Sequence, residues 1–218
     1  MKKILSALIL STLFCSVTVA SPLTDYSQGH WAIDLTIRNT KLSNNAPFDL
    51  GEKSSIDTAF TLGLGEKFAV QYNGASPKSG RNDVESAYCL YVQPKVNQFN
   101  VLYKLNDKLS AIIGYTSANY TGVYDYHYYT NTINYNNNCV TFGVLGTSKI
   151  APKTTLWGSV NGGKNIMDYK IGVGYQIRSN IDFNVDYRYY KIENLKTVTE
   201  SGFEVYAKGL GIGLTYKY

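Results

Sequence analysis

The sequence predicts an all-β protein: a single antiparallel up-and-down transmembrane β-barrel of ten strands, with eight as the alternative count, preceded by a cleavable signal peptide. Three observations carry this. The last residues, Lys208 to Tyr218, read K-G-L-G-I-G-L-T-Y-K-Y, placing Leu210, Ile212, Leu214, Tyr216 and Tyr218 on one strand face. Gly209, Gly211, Gly213, Thr215 and Lys217 fall on the other. In water such a bare apolar strand edge invites aggregation, whereas a barrel in lipid requires it. Short and long connections alternate along the chain, and the chain opens with an export leader.

Met1 to Ala20 forms that leader. Lys2 and Lys3 give the charged start, Ile4 to Phe14 the apolar run, and Thr18-Val19-Ala20 the small-residue cleavage site before Ser21. The run is too short to span a bilayer, and no later stretch approaches 18 apolar residues. Phe14 before Cys15 is not the small residue that lipoprotein processing needs. The expected division is residues 1–20 as signal peptide and 21–218 as the barrel. Removing 20 of 218 residues leaves 198, enough for one domain. Twenty Tyr and 19 Gly against five Pro favour strands over helices. The formal charge of +5 falls to +3 when Lys2 and Lys3 leave, too mild an excess to argue for nucleic acid. A mean hydropathy of −0.19 suits a barrel with only one apolar face.

Ten stretches alternate in strand fashion. Trp31, Ile33, Leu35 and Ile37 oppose Ala32, Asp34, Thr36 and Arg38 in the first. Ile56 to Leu64 follows, with Thr58, Phe60, Leu62 and Leu64 against Asp57, Ala59, Thr61 and Gly63. Gly65-Glu66 turns the chain into Lys67 to Asn73. Val96 to Leu105 places Phe99, Val101, Tyr103 and Leu105 opposite Gln98, Asn100 and Lys104, and Asn106-Asp107-Lys108 leads to Leu109 to Ser117. Cys139 to Gly146 and Lys153 to Val160 form a weaker pair, with the face of Trp157 left open. Tyr169 to Ile177, Ile181 to Tyr190 and Glu204 to Tyr218 complete the set.

Short turns follow the even strands. Longer polar links follow the odd ones: residues 39–55, 74–95, 118–138, 161–168 and 191–203. That asymmetry matches bacterial outer-membrane barrels, whose short turns are periplasmic. A soluble sandwich or lipocalin-like barrel also alternates, with its apolar face inside. The terminal strand, the loop asymmetry and the leader decide against it.

On the terminal G-L-G-I-G-L-T-Y-K-Y and on Asp186-Tyr187-Arg188-Tyr189, the whole chain after the leader resembles the small OmpA-like or Opacity-like outer-membrane barrels. The resemblance implies residence in the bacterial outer membrane, contact with its lipid, and insertion by the barrel-assembly machinery through the terminal strand. It covers structural barrels, adhesins and narrow porin-like pores, so it implies a fold and a place more firmly than an activity. The resemblance departs from OmpA itself, in that no periplasmic peptidoglycan-binding domain is expected in this sequence.

The inward faces are expected to hold Asp34, Arg38, Asp57, Lys104, Lys170, Asp182, Asp186, Arg188 and Lys217. In a narrow lumen such charges must pair. Two outcomes stay open: a filled, salt-bridged interior, or a narrow channel lined by these charges. The lumenal glycines, among them Gly63, Gly114, Gly143, Gly172, Gly209, Gly211 and Gly213, leave room for water or let the sheet bend.

Cys89 and Cys139 remain after the leader, and an even count outside the cytosol favours a Cys89–Cys139 disulfide across the barrel mouth. No Cys/His spacing suggests a metal, and no cofactor is called for. His30 is expected at the periplasmic rim. Asp125-x-His127, with Asp83-x-Glu85 in the preceding loop, resembles the Asp–His and acidic pairs of the omptin outer-membrane proteases, implying a hydrolase as the alternative to a non-catalytic barrel. Between Tyr120 and Asn138 stand six Tyr, one His and five Asn, a composition suited either to ligand contact or to an extension of the barrel above the membrane.

Overall fold

The computed structural model describes residues 22–44, 49–79, 82–84, 88–126, 129–196 and 201–218. In chain order the strands are β1 (Trp31–Asn44), β2 (Asp49–Gly65), β3 (Phe68–Ala75), β4 (Asn82–Val84), β5 (Tyr88–Asn106), β6 (Leu109–Tyr126), β7 (Tyr129–Ala151), β8 (Thr154–Gly163), β9 (Ile166–Arg178), β10 (Ile181–Lys196) and β11 (Ser201–Lys217). Ten of them form one closed antiparallel barrel. Each pairs with its chain neighbour, β3 pairs with β5, and β1 pairs with β11, while the three-residue β4 only caps the upper end of β5. The strand count is ten, not eight, because the weakly patterned stretch at 139–160 does form two strands, β7 and β8.

The closing seam is continuous from Ala32↔Lys217 to Asn44↔Val205. Below it, Trp31 N–H donates to the Tyr218 carbonyl at 3.0 Å and Tyr218 N–H to the Trp31 carbonyl at 2.9 Å. Closure leaves no edge, the condition for a sheet to live in hydrocarbon.

The apolar faces point outward. Ile37, Phe142 and Ile212 are 63, 62 and 57% exposed, and Leu35, Phe99, Ile171 and Leu214 share that surface. A water-soluble fold would bury these residues, so the exposure settles which face meets lipid. Aromatic clusters bound the band. Trp31 contacts Tyr216 and Tyr218 at the end holding the termini, with centroids 5.5 and 5.7 Å away. Tyr72–Phe99 and Tyr169–Tyr189–Tyr206 mark the other end. Lys41 and Lys208, paired across the seam, begin the polar outward surface above them.

The connections at the termini's end are two-residue turns, as at 66–67, 107–108, 152–153 and 179–180. At the far end, much of what reads as polar loop is strand. The expected link 118–138 is a continuation of β6 and β7, adding eleven residue pairs beyond Tyr115↔Val140. At a rise of about 3.3 Å per residue that is about 36 Å of ladder beyond the lipid band. The expected link 161–168 shrinks to a turn at Lys164-Asn165, where Asn165 takes a φ of 64°. Asn is a weak strand former, but an established ladder extends at the cost of little more than fixing the next pair.

Two substitutions separate seam from surface. A Cβ on Gly209 would stand 1.8 Å from the Asn39 carbonyl oxygen, whereas one on Gly158 would meet nothing nearer than 3.3 Å. Gly209→Ala should therefore lower the yield of refolded, heat-modifiable barrel on an unboiled gel, and Gly158→Ala should not. Ile212→Arg, which points a charge into lipid, should cost about 2–4 kcal/mol in a urea unfolding titration in vesicles.

Candidate functional site

The lumen is the natural place for chemistry, since the outer faces are committed to lipid. Its contents are stratified. Near the termini's end, Tyr26 packs with Ala69, Leu102, Ile112 and Leu145 into an apolar floor. Tyr26 belongs to a segment that precedes β1 and enters the barrel from below. Its hydroxyl hydrogen-bonds Ser110 Oγ at 3.0 Å, and its carbonyl accepts the Gly65 N–H at 3.0 Å. Gly63 is required beneath it, because a Cβ there would meet the Tyr26 and Ser27 carbonyls at 2.5 Å.

Above the floor lies a polar layer. Arg38 donates through Nε to Asp57 Oδ2 at 2.8 Å and reaches Asp186 Oδ1 at 2.6 Å. Arg188 clasps Asp168 through two bonds of 2.9 and 2.8 Å and contacts Asp57 at 3.3 Å. Asp57 thus bridges two guanidiniums across the lumen from β2. Lower down, Lys217 pairs with Asp182 at 2.6 Å, and Thr215 donates to Asp34. Lys170 lines the same chamber, with a volume of about 100 Å³. Lys104 sits apart, paired with the exposed Asp107 at 3.0 Å at the rim.

Above the ions the interior turns apolar again. Leu42, Leu50, Val92, Val96, Ala118, Tyr120, Cys139, Ile166, Tyr190, Ile192, Val205 and Ala207 form one cluster drawn from eight barrel strands. Pro77, in the segment after β3, is buried against Arg38, Asp57 and Arg188. Ser79 fixes that segment, donating its N–H to the Val92 carbonyl at 2.8 Å and accepting the Val92 N–H at 2.7 Å.

Sequence reading missed Asp168, which it left in a loop, although the residue is 3% exposed and is the main partner of Arg188. The period-2 step from Lys170 was the available signal. Trp157 turns inward over Gly172, where a Cβ would come within 2.6 Å of the indole. The lumenal glycines at 63, 114, 143, 172, 209, 211 and 213 therefore admit close neighbours rather than water. The expected Cys89–Cys139 bridge does not form. Cys139 carries a free, buried thiol opposite Thr116, whereas Cys89 stands opposite Asp125, nine residue steps higher on β6. That is about 30 Å of strand, far beyond disulfide reach.

His30 lies at the rim, where its Nδ1 is 2.9 Å from Asp25 Oδ2. His127 and the side chains of Asp83, Glu85 and Asp125 lie outside the described residues. Among the described residues no group of three or more His, Cys, Asp or Glu could hold a metal ion. Beyond the lipid band, Lys191 bridges Glu193 at 2.5 Å and Glu204 at 3.1 Å. Hydrogen bonds from Tyr206 and Lys191 hold the Glu204 carboxyl below its usual range.

The family described as "Outer membrane protein beta-barrel domain" matches residues 7–218. No curated protein matches the chain. Among solved structures, the outer membrane protease OmpT from Escherichia coli is similar with a TM-score of 0.58 at 13% identity, over 93% of this chain and 99% of that one. Ail, the attachment invasion locus protein of Yersinia pestis, in complex with the heparin analogue sucrose octasulfate, gives 0.50 at 10% identity, over 88% and 99%. At such identities the likeness is one of fold.

The ion layer generates a graded prediction. Arg188→Leu strands the buried Asp168 carboxylate, leaves Asp57 to Arg38 alone, and should lower unfolding free energy by about 3–5 kcal/mol. Lys104→Leu, at the screened rim, should stay within about 1 kcal/mol. Paired urea titrations compare them, and equal losses would refute the assignment of the central layer.

Proposed function

We propose a non-catalytic, non-conducting role for this chain, which belongs to the outer membrane protein beta-barrel family. It resides in the bacterial outer membrane and offers its extended hairpins as a contact surface on the far side from the termini.

One observation carries the reading: the polar layer is closed below by the Tyr26 floor and above by a twelve-residue apolar cluster. A solute path needs a continuous wet route, and the described lumen offers a chamber of about 100 Å³ between these two apolar layers. The two arginines in it are held in ion pairs rather than facing an open column. Extension of the β6–β7 ladder well past the lipid supports surface contact, because a paired hairpin presents a fixed backbone at low ordering cost. Insertion by the barrel-assembly machinery through Leu210, Ile212, Leu214, Tyr216 and Tyr218 belongs to the same proposal.

Refolded protein in planar bilayers should show no steps in current at any voltage. Sustained unitary conductance would overturn the filled-barrel reading in favour of a narrow pore. The hydrolase alternative is tested separately: cleavage of peptides by the refolded barrel, abolished in His127→Ala, would replace the non-catalytic reading.

A further inference from the structure

The lipid-facing wall has a gap in its side chains. Phe142, Val144 and Ile150 mark the outward positions of β7, and Leu156 and Val160 those of β8. In the same two rows Gly146 and Gly158 stand opposite each other as a register pair. A Cβ on Gly146 would meet nothing nearer than 3.9 Å, so the pair leaves bare backbone facing hydrocarbon. It floors an open groove of about 610 Å³ that is walled by Leu156, Val160 and Ile171. Tyr169 and Tyr189 line its far end. Lys108 lines the end nearest the termini, in the turn between β5 and β6. That turn is fixed to β7 by the Thr147 N–H, which donates to the Lys108 carbonyl at 2.8 Å.

The rim below the groove is basic. Exposed Lys108, Lys153 and Arg178 lie in or beside three successive turns at this end, and among the described residues none of them forms an ion pair. The one acid in those turns, Asp107, is already held by Lys104 at 3.0 Å. The bilayer fills any outward hollow with hydrocarbon, because a void forfeits dispersion contacts on one side. What the groove can select is therefore the headgroup at its mouth, and basic residues at a membrane surface select an anion.

We propose that the groove is a binding site for one anionic phospholipid of the periplasmic leaflet. Its acyl chain lies along the Gly146–Gly158 floor, and its phosphodiester meets the Lys108 ammonium, with Lys153 and Arg178 adding to the field. The short turns put this rim on the periplasmic side, where the lipid is phospholipid; the phosphates of lipopolysaccharide lie at the opposite, tyrosine end. A second copy suits the groove poorly. A two-fold dimer across it would set Lys108, Lys153 and Arg178 against their own copies at one level of the membrane. The site holds for a silent barrel and a conducting one alike.

The test uses protein purified from outer membranes in a mild detergent, with folding checked by heat-modifiable migration. The probe is dioleoylphosphatidylglycerol, set against dioleoylphosphatidylcholine, and native mass spectrometry counts the bound lipids. Wild type should keep one phosphatidylglycerol under activation that strips the phosphatidylcholine. Lys108→Gln should weaken that adduct about fivefold. Gly146→Ile, which suits a strand and fills the floor, should lose it. Lys67→Gln, in the β2–β3 turn across the barrel, should keep it. Indifference to headgroup charge, or equal retention by Gly146→Ile and wild type, overturns the proposal. So does a loss in Lys67→Gln as large as that in Lys108→Gln, which reduces the rim to general surface charge; this comparison decides alone if Gly146→Ile does not fold. A dimer that Gly146→Ile splits gives the groove to a second copy, and lipopolysaccharide held there more tightly than phosphatidylglycerol gives it to the outer leaflet. Either result overturns the proposal too.

Discussion

Hydrocarbon offers no hydrogen bonds, so every backbone N–H and C=O inside the membrane must be answered by another strand. That requirement governs the whole molecule. It forces the sheet to close, and closure is achieved through the β1–β11 seam, where thirteen residue pairs run without a slip. The glycines on the inner side of β11 serve this seam. Gly209 and Gly213 lie so near the β1 backbone that a side chain would push the strands apart. The repeated glycine of the terminal strand is thus a packing demand rather than a hole in the wall.

A ten-stranded barrel has an interior of fixed, small width, and its contents follow from that width. A charge placed there cannot be fully hydrated, so it must be paired or excluded. The structure pairs it. Two arginines from β1 and β10, strands separated by β11 alone, share Asp57, and each has a second aspartate of its own. Such a network contributes little net stability compared with an apolar filling, but breaking one member is costly. It therefore fixes the strands' relative placement more than it strengthens them. The apolar clusters on either side lower the local dielectric and sharpen that penalty.

Much of this was legible in the chain. The period-2 pattern named the lipid face residue by residue, because lipid exposes a whole face of each strand and selects it strongly. The inner face was legible as to sign of charge and not as to partner. Arg38 and Asp186 sit on strands brought together only by barrel closure, a contact with no local signal. Asp168 was passed over because Asn161 to Asp168 read as loop, and only the register with Asn161 and Tyr190 makes it part of a strand. The apolar cap was invisible for a related reason. Val92 and Val205 lie beside the polar Gln93 and Glu204, so the pattern looked irregular where it had merely inverted: above the lipid, apolar residues turn inward and polar ones outward.

That inversion separates the barrel into two solvent regimes along one continuous ladder. Within the band the outside is greasy and the inside polar. Above it the outside is wet and the inside dry, as in a water-soluble β-barrel. The β6–β7 hairpin stands in the second regime, built on strands whose register is set in the first. A segment held in this way has little freedom left to lose when something docks on it, so its affinity for a partner is spent less on ordering than a free loop's would be. The same rigidity argues against a gate: opening a path through the lumen would require moving the Tyr26 segment, the ion layer and the apolar cap together, against a wall that cannot widen without breaking ladder bonds in lipid.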